Sequence, residues 1–199
     1  IATAGMVHSA GVLADAVLPN QSAPGIARVF APKAYGVWSL HAASAATSTR
    51  TFALFSSVAA LLGGAGQANY AAANTCLDAV ATSRRTHGVV GASVQWGAWA
   101  EVGMAARGVA SVRMATIETA SGISRIGLAQ GLGALGMAIQ QGLSSVLGML
   151  PVSWSRFLGT GEAPAFLSTF ASYSKVTGPT GAESLSAACG ITLESVLDM

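Results

Sequence analysis

The fold is decided by a stretch that reads Leu54-Phe-Ser-Ser57, then a glycine-rich segment at 63–66, then Gln67-Ala-Asn-Tyr70-Ala-Ala-Ala-Asn74. A short apolar run that ends in serines is typical of a buried strand, and clustered glycines are typical of a loop. The alanine-rich continuation to position 85 has the length of a helix. The stretch therefore predicts a strand, a loop and a helix in that order.

The sequence on either side repeats this alternation. Upstream, Gly5-Met-Val-His8 predicts a strand and 22–49 a helix, and downstream 91–96 predicts a further strand. Strands that alternate with helices of this length pair in parallel through right-handed crossovers, and ligands bind at their carboxyl ends. We therefore predict an α/β fold, a partial Rossmann-like parallel sheet flanked by helices.

One element of a dinucleotide-binding sheet is missing, the G-x-G-x-x-G turn that follows its first strand. The glycines at 63–66 have a different spacing and follow a middle strand, so they predict a loop. The sheet is thus expected to lack its first strands and its Gly-rich turn. We expect the missing N-terminal half to be supplied elsewhere; otherwise the chain is an inactive or purely structural segment.

The sequence after the third strand has a weaker pattern. Residues 104–121 show no clean period and form a candidate lid, 124–141 predicts a helix, and 145–150 predicts a last strand. Gly, Pro, Ser and Thr accumulate from position 159 onward. We therefore divide the chain into a catalytic part at 1–158 and, at 159–199, a linker with the start of a following segment.

Composition excludes several classes of protein. Of the 199 residues 52% are apolar and only 9% are charged, against roughly 25% charged in an average domain, so we expect other domains to cover the surface. The 10 basic and 8 acidic residues are scattered, which disfavours nucleic-acid binding. No apolar run reaches the length of a membrane span. Cys76 and Cys189 match neither a disulfide framework nor a metal site, which favours the cytoplasm.

Four polar residues are the candidates for chemistry. Ser57 ends a strand, while Tyr70 and Asn74 lie one turn apart on the next helix, so their side chains can converge. An upstream lysine, Lys33, would lower the pKa of the phenol and prepare it as a general acid for a ketone oxygen. Taken singly, each residue has a plainer interpretation, since a tyrosine at a helix start usually packs and a lone lysine is usually solvated.

The chain resembles the ketoreductase domains of modular type I polyketide synthases, in the short-chain dehydrogenase/reductase superfamily, over about residues 5–157. In the wider superfamily a lysine follows the active tyrosine by four residues, whereas synthase ketoreductases place Asn there and take the lysine from the preceding helix. Asn74 and Lys33 match the synthase arrangement. The ketoreductase of fatty acid synthase is a close alternative. The matching motifs are His8-Ser-Ala-Gly11, Phe55-Ser-Ser57, Gln67-Ala-Asn-Tyr70-Ala-Ala-Ala-Asn74 and Trp96-Gly-Ala-Trp99.

The resemblance implies a role for each of these residues. Tyr70 would protonate the β-keto oxygen and Ser57 would hydrogen-bond to it. Lys33 would bind the nicotinamide ribose and tune the tyrosine, with Asn74 positioning Lys33.

The resemblance also implies a cofactor and partners. NADPH would donate the hydride, with Ala10 and Gly11 allowing its close approach and Gly97 and Ala98 lying near its carboxamide. The substrate would be a β-ketoacyl thioester on an acyl carrier protein. Neighbouring synthase domains would surround the site in a homodimeric synthase.

Stereochemistry is expected from residues beside the active tyrosine. Asp15 keeps the last residue of a Leu-Asp-Asp motif that marks the D-hydroxy class in the resembling family, and Leu62 stands where the other class has Trp. Asn69 agrees with the D class, Gln67 belongs to the same groove, and Ala65 replaces an expected proline. A D-hydroxy product is predicted. The alternative is that Asp15 merely caps the next helix.

Two adjacent arginines, Arg84 and Arg85, are interpreted as surface charge. The alternative is that they meet an acidic carrier protein.

Overall fold

The centre of the molecule is a five-stranded sheet in the order β1-β2-β3-β4-β5. Strands β1 to β4 are parallel, and β5 pairs with β4 in antiparallel fashion. The predicted parallel sheet with flanking helices is confirmed. The strands are β1 (Met6–His8), β2 (Phe52–Ser57), β3 (Ala92–Trp96), β4 (Val146–Met149) and β5 (Ile191–Thr192). The computed structural model describes residues 5–45, 47–103, 115, 118, 120–140, 142–159, 162–174 and 191–192.

The helix predicted at 22–49 is present with one interruption. Ser22 caps its start, because the Ser22 Oγ accepts a hydrogen bond of 3.2 Å from the Gly25 N–H. A π-helical turn, Ala31–Tyr35, divides it, and it ends at Ser44. The helices are α1 (Ala23–Phe30), α2 (Gly36–Ser44), α3 (Ala59–Leu62), α4 (Ala68–Thr86), α5 (Leu128–Ala138), α6 (Trp154–Phe157) and α7 (Ala171–Ser174), with 3₁₀ turns at Leu18–Asn20 and Ala165–Phe170.

Both faces of the sheet are covered, which explains why its strands are almost continuously apolar. On one face Phe52 and Leu54 pack with Leu77 of α4. Phe55, the next residue along β2, turns to the opposite face and packs with Trp96. Helix α4 is thereby fixed across β2 and β3, with its first turn at the carboxyl ends of the strands.

The helix predicted at 124–141 begins only at Leu128. Residues before it form an isolated β-bridge instead, because the Ile126 N–H donates to the Ala98 carbonyl at 2.8 Å and the Ile126 carbonyl accepts from Ala100 at 2.9 Å. These backbone bonds outweigh the helical pattern of the sequence. Most of the candidate lid at 104–121 lies outside the described residues.

Part of the segment predicted as a linker packs against the preceding structure. Leu167 in the 3₁₀ turn is buried, and Phe170 stacks on Trp154 with ring centroids 4.2 Å apart. Thr192 pairs with Leu147 of β4. The boundary at 158 stays a prediction. No helix in the described ranges has the length and apolar character needed to cross a membrane.

Candidate active site

The carboxyl ends of β1 and β2 meet the start of α4, and three of the predicted residues come together there. Ser57 is the last residue of β2, Tyr70 lies in the first turn of α4, and Lys33 lies in the π-helical turn. The Lys33 Nζ donates a 3.0 Å hydrogen bond to the Phe55 carbonyl and lies 5.5 Å from the centroid of the Tyr70 ring. The predicted convergence of lysine and tyrosine is therefore observed.

Lys33 is an unusual lysine because it is only 3% exposed. Burial lowers the pKa of its ammonium to about 8, and the negative charge of Asp78 acts in the opposite direction. At neutral pH the side chain still carries its proton. Its Nζ makes one hydrogen bond within the described residues, so N–H groups remain for a ligand.

Tyr70 differs from the sequence expectation in the direction of its pKa shift. Burial raises the pKa of the phenol, and interactions with the side chains of Asn74 and Ser57 offset part of that rise. The expected lowering by Lys33 is wrong, because desolvation of the phenolate is the largest influence on this side chain. Tyr70 therefore carries its proton at neutral pH, which is the form that a general acid needs.

Asn74 does not hydrogen-bond to Lys33. Its Nδ2 donates to the carbonyl of Tyr70, four residues earlier in the same helix, at 2.8 Å. Its Oδ1 is buried and has no hydrogen-bond partner in the described part of the chain. A buried acceptor without a donor costs about 1–3 kcal/mol, so this atom points to a polar group that the site receives from outside.

The residues predicted to hold a cofactor fit the nicotinamide and ribose end of a dinucleotide. A Cβ at Gly11 would lie 3.0 Å from Lys33 Cε and 3.5 Å from Nζ, so only glycine leaves this approach to the ammonium open. Ala10 beside it is exposed, and Gly97 and Ala98 are half-buried beyond β3. Small residues, a lysine with unused N–H groups and the unpaired Asn74 oxygen are compatible with a ribose and its carboxamide-bearing ring.

Three of the predicted stereochemical residues, Asp15, Gln67 and Asn69, form a rim next to Tyr70. The Asp15 carboxylate accepts a 3.2 Å hydrogen bond from the Gln67 Nε2. The Asn69 Nδ2 donates to the Ala14 carbonyl at 2.8 Å, which ties the loop after β1 to the start of α4. Leu62 ends α3 and is half-buried.

The alternative role of Asp15 as a helix cap is wrong. The N-cap of α1 is Ser22, seven residues later. Asp15 instead binds a side chain from α4, which the sequence separates from it by 52 positions.

Sequence reasoning missed one buried carboxylate near the site, Asp78. It follows Tyr70 by eight residues and Asn74 by four, which places all three on one stripe of α4. Its side chain accepts hydrogen bonds from Ser93 Oγ at 2.6 Å and Gln95 Nε2 at 2.9 Å. An acidic residue on the buried stripe of an amphipathic helix was the signal that could have identified it.

The interpretation of Arg84 as surface charge is wrong. The side chain is 2% exposed and lies over the Phe52 ring, 3.8 Å from its centroid. It donates to the Val90 carbonyl at 2.7 Å, to Ser44 Oγ at 2.7 Å and to His41 Nδ1 at 3.0 Å. Arg84 is therefore engaged in packing and hydrogen bonds within the fold, near the amino ends of the strands.

Comparison with known proteins gives the family. A family model described as the KR domain matches residues 2–101. Polyketide synthase GfsA of Streptomyces halstedii is 38% identical over 167 residues, which are 82% of this chain and 2% of that protein. Polyketide synthase GfsB of the same organism is 40% identical over 173 residues, which are 87% of this chain and 3% of that protein.

Solved structures agree with this relationship. A structure of A-type ketoreductases from a modular polyketide synthase superposes with a TM-score of 0.76 at 31% identity, over 86% of this chain and 36% of that one. The ketoreductase from the first module of phoslactomycin biosynthesis in Streptomyces sp. HK803 superposes with a TM-score of 0.69 at 35% identity, over 78% of this chain and 35% of that one. The chain therefore belongs to the KR domain family, the ketoreductase domains of polyketide synthases, and has part of their short-chain dehydrogenase/reductase fold.

Proposed function

We propose that the chain is the catalytic part of a ketoreductase that uses NADPH to reduce a β-ketoacyl thioester, held on an acyl carrier protein, to the β-hydroxyacyl thioester. The observation that carries this proposal is the buried Lys33 ammonium 5.5 Å from the ring of the protonated Tyr70. Such a pair provides a proton donor together with a fixed positive charge beside it.

The residues of the chain supply the acid half of the reaction. When bound, NADPH would supply the hydride for the keto carbon. The Tyr70 hydroxyl donates its proton to the oxygen, while Ser57 hydrogen-bonds to the same oxygen as negative charge develops on it. The phenolate left behind is stabilised by the Lys33 ammonium and regains its proton from solvent.

The context of the reaction is part of the proposal. The relatives are long synthases of which this chain spans 2% to 3%. The proposal therefore includes an N-terminal half that completes the sheet beside β1, where Val7 is 60% exposed. It also includes neighbouring synthase domains, a homodimeric synthase and a cytoplasmic location.

We test the reaction with Tyr70→Phe in a protein that contains this chain and the completing half. We expect kcat for a β-ketothioester surrogate to fall by about 10²–10⁴ with little change in the free energy of unfolding. The control is Tyr35→Phe, because Tyr35 is 65% exposed. A Tyr70→Phe variant that keeps the parental rate would overturn the proposal, and a comparison of NADPH with NADH tests the cofactor.

The product is proposed to be the D-hydroxy isomer. This rests on Asp15, its hydrogen bond to Gln67 and the presence of Leu62 in place of Trp. Two orientations of the acyl chain present opposite faces of the ketone, and about 1.4 kcal/mol between them gives a tenfold preference. We expect chiral chromatography to give mainly the D isomer. A mainly L product would contradict the stereochemical proposal and leave the reduction itself intact.

A further inference from the structure

The interface between α4 and the sheet changes character along its length. Beside β2 it is mainly apolar, with Leu54, Leu77 and Val80 in contact and the buried Arg84 at the amino end of that strand. Toward the site it becomes a cluster of buried polar side chains, whose burial a stable interface alone does not require. The members of this polar cluster are Ser56, Asn74, Asp78, Ser93 and Gln95.

Asp78 is the charged member of the polar cluster and is 8% exposed. Ser93 and Gln95 lie two apart on β3 and therefore face α4 together, where each donates a hydrogen bond to one carboxylate oxygen. These hydrogen bonds hold the carboxylate in a fixed orientation. They leave its negative charge without an ion pair, because both donors are neutral.

Lys33 is the matching unpaired charge over the neighbouring strand. Its ammonium donates to the Phe55 carbonyl of β2, and the described residues give it no carboxylate within salt-bridge distance. Strands β2 and β3 pair in register, with Ser56 opposite Gln95. Asp78 projects from α4 onto β3, and Lys33 projects from the π-helical turn onto the adjacent strand β2. Both side chains are buried, so the two charges lie over neighbouring strands in one interface from which water is largely excluded.

We propose that Asp78 is a positioning residue, the buried counter-charge that holds the Lys33 ammonium charged and in place against Tyr70. The inference rests on the proposed function and adds to it a residue that does not touch the substrate. A charge buried in a medium of low dielectric constant interacts over longer distances than one at the surface. Asp78 can thus act on Lys33 without a direct contact.

The other titratable groups around Lys33 do not take this role. Tyr70 of α4 is neutral, and the His8 Nε2 is engaged at 2.8 Å with the Pro32 carbonyl. Asp15 lies on the exposed rim and acts on Tyr70. In agreement with the geometry, the charge of Asp78 acts against the burial that lowers the pKa of Lys33. Burial likewise raises the pKa of Asp78, and the hydrogen bonds to its carboxylate and the charge of Lys33 act against that rise.

The test uses the small number of lysines in the chain, which are Lys33 and Lys175. The 199-residue chain is labelled with ¹³C at the lysine ε carbon, titrated by NMR, and its signals are assigned with Lys175→Arg. With a pKa of about 8, half of Lys33 is protonated at pH 8. In Asp78→Asn we expect that fraction to fall to about one tenth.

The substitution is suited to the polar cluster, because the Gln95 amide can turn over and present its oxygen to the amide N–H that the change introduces. The matched control is Asp15→Asn, which removes the same charge from the rim and is expected to leave the Lys33 titration unchanged. An Asp78→Asn chain in which Lys33 titrates as before would overturn the proposal.

A reciprocal measurement keeps Asp78 intact and therefore does not depend on the stability of the first variant. The chain has three aspartates, Asp15, Asp78 and Asp198, whose carboxyl carbons can be labelled. In Lys33→Met we expect the pKa of Asp78 to rise, and an unchanged titration would equally overturn the proposal. Neither measurement uses substrate or nicotinamide, so both are independent of the Tyr70→Phe result.

Discussion

Two buried cations lie toward opposite ends of the strands, and their hydrogen bonding differs. Arg84 belongs to helix α4 itself, and Lys33 belongs to the π-helical turn beside that helix. Arg84, near the amino ends of the strands, donates to three acceptors and lies flat on the Phe52 ring. Lys33, near the carboxyl ends, makes one hydrogen bond, although it is equally buried. Within the described residues the arginine makes three hydrogen bonds and only its Nη2 is left without a partner, whereas the lysine makes a single hydrogen bond.

The difference separates a residue that stabilises the fold from one that serves a ligand. A cation that is surrounded by its own protein's acceptors contributes to stability and has little left to bind with. A cation that is desolvated with few acceptors weakens the fold and is available for a substrate or cofactor. Exposure alone does not separate the two cases, because both side chains are at most 3% exposed.

The largest expected effect concerns Arg84, the cation that stabilises the fold. Arg84→Met keeps the contact with Phe52 but leaves the Val90 carbonyl and Ser44 Oγ without their donor. We expect the free energy of unfolding to fall by about 2–3 kcal/mol in urea denaturation. Arg85→Met is the matched control, with an expected change within about 1 kcal/mol. Equal losses in the free energy of unfolding for Arg84→Met and Arg85→Met would contradict a special role of Arg84 in stability.

The second effect uses the pH dependence of stability at the other cation. The pKa of Lys33 is about 8 in the folded protein, against an ordinary value of 10.5, so between these values the unfolded chain binds more protons. The free energy of unfolding therefore rises with pH, by about 2–3 kcal/mol from pH 8 to 10. We expect the free energy of unfolding of the wild type, minus that of Lys33→Met, to rise by this amount from pH 8 to pH 10. A flat difference curve would mean that Lys33 is not desolvated.

At pH 7 the same Lys33→Met variant should be nearly as stable as the wild type, with a change within about 1 kcal/mol. Loss of the hydrogen bond to Phe55 is offset by the removal of a buried charge. At pH 7 the Tyr70 phenol is protonated in both the folded and the unfolded chain, because its ordinary pKa is 10.0 and burial raises it further.

The smallest expected effect concerns Lys33, the cation available to a ligand, and tests whether its exact position matters for activity. Gly11→Ala places a Cβ 3.0 Å from Lys33 Cε, so the flexible end of the lysine must move. We expect kcat/KM in the completed ketoreductase to fall about tenfold, equivalent to about 1.4 kcal/mol, with little loss of stability. Ser9→Ala, at an exposed position two residues earlier, is the control. An unchanged kcat/KM would show that the lysine tolerates displacement.

Local patterns were sufficient to predict the strands around Leu54 and Val94 and the helix that carries Tyr70. Spacing also brought Ser57, Tyr70 and Asn74 to one end of the sheet, because strand ends and helix faces follow from it, whereas the place of Lys33 beside that tyrosine was expected from the family resemblance. Local patterns could not predict that Ile126 leaves a helical pattern to bond with Ala98, since that depends on a distant backbone. The raised pKa of Tyr70 and the burial of Arg84 depend on desolvation, which no local pattern records.

The π-helical turn at Ala31–Tyr35 makes the fold sensitive to the exact number of residues in this part of the chain. Val29, Lys33 and Val37 are all buried at intervals of four residues, and each such interval overshoots an α-helical turn by about 40°. The wider turn absorbs that excess and keeps α1 and α2 in phase. Deletion of a single residue here would rotate α2 by about 100° relative to α1 and carry Val37 out of the core. The additional residue that widens the π-helical turn therefore fixes the rotation of α2 relative to α1 and the position of Lys33.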